Sequence, residues 1–194
     1  MLIILNPFSQ MLYLRELFER LRFRVFLGVH LRASLYSFII FAIFATAGDP
    51  LLQHVFQVRL GSLQVFGGLV NLFVAYRYIT AGAGSTVLFS GKISELAPNI
   101  TLPYMVGPGM LWVSILMGRA YPFYVALALI AGVLTINVVA VLGAYTLFQS
   151  GEQRRETRLA KYLGVLMRMM ALFVGAIGVE MIVGGLQGLL QGPN

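Results

Sequence analysis

The sequence predicts an all-α polytopic membrane protein, six transmembrane helices arranged as two inverted three-helix repeats, with helices 1 and 4 broken. Three observations predict it. Of 194 residues 59% are hydrophobic and 11% charged, and mean hydropathy is +0.85; a soluble domain carries about 25% charged residues. Two proline breaks interrupt the apolar pattern, Asn6-Pro7-Phe8-Ser9 and Gly107-Pro108-Gly109, 101 residues apart from Asn6 to Gly107. Arg59-Leu60-Gly61 and Tyr162-Leu163-Gly164 open two similar apolar segments, 103 residues apart. The near-equal offsets define a repeat of three helices, and an odd number makes the second copy enter the bilayer from the opposite side. The domains are therefore 1–95, the first triplet with its linker, and 96–194, the second.

The elements follow in order. Met1–Leu14 is apolar but short of the ~20 residues a span needs. Arg15–Arg24 continues it as an amphipathic helix, so either this basic segment completes the first helix at the interface or the natural start lies upstream. Leu31–Gly48 is the second span, ended by Asp49-Pro50, and Leu60–Ile79 is the third. Thr80–Glu95 is rich in glycine and serine and reads as a linker. Ala97–Met117 is the broken fourth span, followed by a tight turn at Arg119–Pro122 and a fifth span at Phe123–Phe148. Gly151–Lys161 is a charged loop, and Tyr162–Leu190 is the sixth span.

Charge orients the chain. Loops one, three and five carry eleven Lys and Arg (Arg15, Arg20, Arg22, Arg24, Arg32, Arg77, Lys92, Arg154, Arg155, Arg158, Lys161), against Arg59 and Arg119 in loops two and four. The positive-inside bias places the odd loops in the cytoplasm and both termini outside, as a multi-pass protein of the cytoplasmic membrane. The net charge of +7 sits in loops between apolar runs, so it does not argue for nucleic acid. With no cysteine, disulfides, thiolate metal sites and iron–sulfur clusters are excluded.

The breaks carry the chemistry. Proline lacks an N–H and clashes with the preceding turn, so a helix stops before Gly107 and another starts with Pro108 at its first position. Freed backbone groups are costly in lipid, so each break must face protein or a watery cavity. A half-helix starting at Pro108 or Pro7 aims N–H groups and partial positive charge at the midplane, while the carbonyls ending the preceding half-helices carry partial negative charge. A zwitterionic amino acid needs this combination. The expected substrate-binding residues are Asn6, Pro7, Phe8, Ser9, Gly107, Pro108, Gly109 and Met110, with Ser9 equally readable as a first-turn serine. Asn71 and Asn137 read as interhelical glue, His30 and His54 as residues at span edges, and Gly28, Gly61 and Gly67-Gly68 as close-packing positions.

At these residues the chain resembles the MarC family of membrane proteins, which includes the SnatA neutral amino acid transporters. The likeness covers most of the chain. It rests on Asn6-Pro7, Gly67-Gly68-Leu69, Pro103-x4-Pro108 with Gly107-Pro108-Gly109, and Arg168 with Val179-Glu180-Met181-Ile182 and Gly185-Leu186. Where the family tends to follow its Asn-Pro with glycine and a further proline, this chain has Phe8 and Ser9, and its apolar lead is shorter. The resemblance implies six helices and movement of glycine and similar neutral amino acids across the cytoplasmic membrane by alternating access.

Other classes fit less well. An intramembrane aspartyl protease needs two Asp, and Asp49 is alone; no His-Glu-x-x-His motif occurs; a Ser–His dyad needs a histidine at depth. The expectation is not an enzyme. A channel or a non-transporting scaffold is the alternative, although neither needs an internal inverted repeat. No cofactor or metal is expected; a coupling ion would be a proton or sodium. Glu180 and Arg77 are the candidates for ion coupling, because each lies 17 residues into its repeat-related helix, from Leu163 and Leu60, where an unpaired charge is costly. The partners are a small neutral amino acid and the bilayer.

Overall fold

The structure is a computed structural model that describes residues 1–80, 93–149 and 153–191, and among these no strand occurs. Three short helices, α1 (Leu2–Leu5), α2 (Pro7–Tyr13) and α3 (Arg15–Arg20), lead into α4 (Phe23–Pro50), which continues as a π-helical turn, Leu51–Val55. Then come α5 (Leu60–Thr80), α6 (Ile93–Ile100), a π-helical turn at Thr101–Met105, α7 (Pro108–Ala120), α8 (Phe123–Gln149) and α9 (Gln153–Leu190). Three helical stretches, Phe23–Val55, Phe123–Gln149 and Thr157–Leu190, are long and apolar enough to cross a bilayer. The others are shorter or, like α5 with Gln64, Asn71 and Arg77, more polar.

Several boundaries differ from the sequence reading. The second helix starts at Phe23, eight residues before Leu31, because Arg24 and Arg32 sit on its exposed side while Phe26, Val29, His30 and Ala33 form the buried stripe. Nor does Asp49-Pro50 end it. Proline removes one amide, and the backbone passes it and widens into the π turn. His30 is consequently not an edge residue: it lies two turns inside α4 and is 0% exposed. His54 is exposed, its ring against the Pro50 carbonyl at 3.2 Å. Residues 153–161, read as a charged loop, are the first turns of α9; no Gly or Pro interrupts them, and Arg, Glu and Lys are good helix formers. Most of the predicted linker, residues 81–92, and residues 151–152 lie outside the described residues.

Beyond Leu14 the amphipathic segment folds as α3 and packs its apolar side against the bundle. Leu17 and Phe18 of α3 are buried, and Phe18 meets Phe26 and Tyr145 edge-on with centroids 5.0 and 5.5 Å apart. Its charges pair on the surface, Arg15 with Glu19 and Arg20 with Glu16. Tyr145 donates to the Leu21 carbonyl at 2.8 Å and Gln149 to that of Phe18 at 2.8 Å, which fixes α3 to the end of α8. At its other end α4 is tied to α7 by a bidentate bridge from Arg119 to Asp49, 2.6 Å on each arm.

α5 and α9 pack against each other through a row of small residues. A Cβ on Gly61 would stand 2.9 Å from the Gly185 carbonyl oxygen, one on Gly68 2.5 Å from that of Gly178, and Ala75 packs with Ala171. Each step moves seven residues forward in α5 and seven back in α9, so the helices are antiparallel. In lipid no hydrophobic drive joins helices, and close backbone approach through small residues supplies the packing instead. Gly61, Gly67 and Gly68 are thus close-packing positions as expected. Gly28 is not: nothing lies within 4 Å of a Cβ built there.

Candidate functional site

The first break turns on Asn6. Its backbone is left-handed (φ 43°, ψ 75°), a conformation asparagine tolerates, and this lets one residue end α1 and cap α2. The Asn6 N–H donates to the Leu2 carbonyl at 3.1 Å. Asn6 Oδ1 accepts the Ser9 N–H at 3.2 Å, and Ser9 Oγ donates to the Asn6 carbonyl at 2.8 Å. Pro7 takes the first helical position. The Leu5 carbonyl, which the turn leaves without its helical partner, accepts from Gln10 Nε2 at 3.1 Å; Gln10 Oε1 in turn accepts from Asn137 Nδ2 of α8 at 3.0 Å.

The second break falls where the sequence places it. α6 passes into the π turn, Leu102 leaves helical geometry (φ −115°, ψ 122°), Val106 and Gly107 are extended, and α7 starts at Pro108. Thr101 Oγ1 ties the turn to the Ala33 carbonyl of α4 at 3.2 Å. Two expectations change here. Gly107 has φ −121°, backbone that any residue adopts, so its glycine is not demanded by the turn. And neither half-helix presents a fan of free amides. Met110 and Leu111 both donate to the Gly107 carbonyl, at 3.0 and 3.1 Å, as Ser9 and Gln10 do to Asn6. Proline has no N–H, which leaves the amides of Phe8 and Gly109 without an intrahelical partner, and the latter abuts Gly67.

A cavity of about 320 Å³ lies where the two breaks meet α5. Ser9 and Gln10 come from one break, Met105, Val106, Gly107, Pro108 and Met110 from the other, and Asn71, Arg77 and Tyr78 from α5. Of the expected binding residues, Ser9, Gly107, Pro108 and Met110 therefore line one space. Asn6, Pro7, Phe8 and Gly109 are not among its lining residues. Gly109 packs instead against Asn71, whose Nδ2 would stand 2.5 Å from an added Cβ. Ser9 is both things the sequence allowed, a first-turn serine and a cavity residue. Gln10 and Asn71 are the polar groups that the binding-site reading missed or set aside. Their signal was available: an amide four residues after Asn6 in an apolar run, and another in the middle of the third span.

Arg77 reaches this cavity, but Glu180 does not join it. In the register of the small-residue row Ala75 is level with Ala171 and Gly68 with Gly178, so Arg77 stands level with Met169 and Glu180 with Phe66. Eleven residues of α5 separate those levels (77 − 66), roughly 16 Å at 1.5 Å per residue. Both side chains are exposed at the protein surface, so the two ion-coupling candidates do not share a site. Among the described lining residues no carboxylate balances Arg77.

The Gln10 bridge carries a prediction. Gln10→Leu leaves the Leu5 carbonyl and the Asn137 amide without partners, at about 1–3 kcal/mol each. Thermal unfolding in detergent is expected to show this loss, and adding Asn137→Leu is expected to cost much less than the same change alone, because the two groups depend on each other.

Membrane-length helices, with two proline breaks that line one cavity, define a polytopic integral membrane protein. The family model for the MarC family integral membrane proteins matches residues 1–190, and the chain belongs to that family. It is 27% identical over 191 residues to the UPF0056 membrane protein PH0214 of Pyrococcus horikoshii, covering 98% of this chain and 91% of that one. It is 28% identical over 177 residues to the UPF0056 membrane protein YhcE of Escherichia coli, covering 84% and 77%, and 26% identical over 206 residues to a UPF0056 membrane protein of Aquifex aeolicus, covering 98% and 91%. No solved structure matches.

Proposed function

We propose that this protein is a secondary transporter of small neutral amino acids, similar to the SnatA transporters, working by alternating access across the cytoplasmic membrane. The observation that carries the reading is the single cavity onto which both broken helices open. Broken helices around a midplane space are how transporters with inverted repeats hold substrates. In this reading the six spans are α1–α3, α4, α5, α6–α7, α8 and α9, in two inverted triplets, and the antiparallel α5–α9 pair supports that symmetry. Arg77 supplies the positive charge for the substrate carboxylate. Ser9, Gln10 and Asn71 bond to the substrate in place of the amide fans expected from the helix ends. The space holds on the order of ten waters at ~30 Å³ each, enough for a neutral amino acid with a side chain as well as for glycine. Both termini lie outside, with the Arg77 end of α5 facing the cytoplasm.

The reading does not include catalysis. His30 lies at depth, which removes one reason for setting a Ser–His dyad aside, but its ring nitrogens and the Ser34 hydroxyl one turn away form no hydrogen bond. Counterflow in proteoliposomes is the test. Vesicles preloaded with unlabelled glycine are expected to accumulate labelled glycine transiently, because a carrier exchanges; a channel or a scaffold shows no overshoot.

A further inference from the structure

Five buried side-chain polar atoms among the described residues have no hydrogen-bond partner: Asn6 Nδ2, Asn137 Oδ1, Ser34 Oγ and both ring nitrogens of His30. These residues are 2%, 0%, 8% and 0% exposed. An unpaired buried polar group costs about 1–3 kcal/mol, so a folded chain rarely keeps a set of them without a use.

Three of these residues stand at neighbouring levels of two packed helices, α4 and α8. Arg119 holds the end of α4 at Asp49, and α8 begins four residues later at Phe123; at the other end Tyr145 stacks on Phe26 with centroids 5.1 Å apart. α8 therefore runs antiparallel to α4, against which it packs. Asn137 is eight residues from Tyr145, and Ser34 is eight from Phe26, so both stand at one level, about 12 Å along their helices. His30 is one turn away, its ring stacked on Phe26 at 5.7 Å. Asn137 is bonded to Gln10, and Gln10 lines the cavity. Gln10 and Asn137 thus lead from the cavity to the level of Ser34 and His30 on α4.

We propose that His30 is the proton-carrying group of the transport cycle, reached from the cavity by way of Gln10 and Asn137. The assignment rests on the transporter reading above. The imidazole takes a proton from water on one side of the membrane and returns it to water on the other, and no bond other than N–H changes. A proton fits the site better than sodium, which needs several oxygen ligands, whereas the least satisfied group here is a nitrogen heterocycle. The other titratable groups around α4 are engaged or at the surface. α8 presents Tyr145, committed to the Leu21 carbonyl, and α6 the exposed Glu95. α7 offers Arg119, bound to Asp49; α3 its two surface ion pairs; and α4 itself the exposed Arg24, Arg32 and Tyr36. The π turn Leu51–Val55 adds the exposed His54.

The test uses the full chain in proteoliposomes with labelled glycine. An imposed pH gradient is expected to drive accumulation at least about tenfold above equilibrium in the wild type and in His54→Gln, the control for the second histidine. His30→Gln keeps hydrogen-bonding capacity without titrating, and it is expected to retain counterflow while losing the response to the gradient. Intact counterflow with His30→Gln still concentrating glycine under the pH gradient overturns the assignment alone, as does wild-type accumulation driven by sodium and not by pH. Absence of counterflow in the wild type overturns the transporter reading, and the assignment with it. If His30→Gln does not fold, Ser34→Ala leaves the imidazole and removes its neighbour; it is expected to move the midpoint of the uptake-versus-pH curve, and an unmoved midpoint overturns the proposal.

Discussion

Gly107→Leu is expected to abolish glycine uptake while leaving the fold intact. Gly107 lines the cavity, and nothing lies within 4 Å of a Cβ built on it. Its backbone is extended, so leucine is accommodated without strain. The added side chain can only project into open space beside the lining groups. Uptake is expected to fall at least about tenfold, the equivalent of about 1.4 kcal/mol of binding, with unchanged thermal unfolding in detergent. Gly109→Leu makes a contrasting pair. There the new Cβ meets Asn71 at 2.5 Å, so uptake and stability are expected to fall together. Full uptake in the Gly107 variant would remove the cavity from the transport path.

Gly68→Leu is expected to have the largest effect on stability. A Cβ at Gly68 would stand 2.5 Å from the Gly178 carbonyl oxygen, 2.8 Å from Ile182 Cγ1 and 3.0 Å from the Ile182 nitrogen. Two of those three atoms are backbone and cannot move aside by changing rotamer. Overpacking of side chains costs about 1–3 kcal/mol, and a helix–helix backbone clash is expected at or above the top of that range. Since whole domains are stable by about 5–15 kcal/mol, the variant should lose a large share of its stability. Gly28→Ala is the control, at a position with nothing nearby: it should be neutral or stabilising by up to about 1 kcal/mol, because alanine is the better helix former. Equal melting temperatures for Gly68→Leu and Gly28→Ala would contradict the seam.

What could be read from the sequence depended on whether the signal was local. Proline and glycine punctuate the backbone wherever they stand, so both breaks and the start of α7 at Pro108 were legible. The small residues of α5 were legible as packing positions, but their partners were not: the match of Gly61 with Gly185 depends on two helices meeting, which no local pattern records. His30 was misplaced for a related reason. Arg24 and Arg32 count in the sequence as charges of loop one, although on a helix they can occupy one exposed side while Phe26, His30 and Ala33 face the core. Residues 153–161 are charged in the same way and are helical all the same. The cavity's polar groups were visible as single residues, yet only folding brings Gln10 to Asn137.

The α5–α9 seam also sets an order on biosynthesis. Gly61 and its partner Gly185 are 124 residues apart in the chain (185 − 61). At about 5–20 residues per second, the ribosome makes the second about 6–25 s after the first. Throughout that interval the small-residue face of α5, with Asn71 on it, is without its mate. A chain that stops before α9 therefore leaves the glycine face of α5 without the helix that covers it.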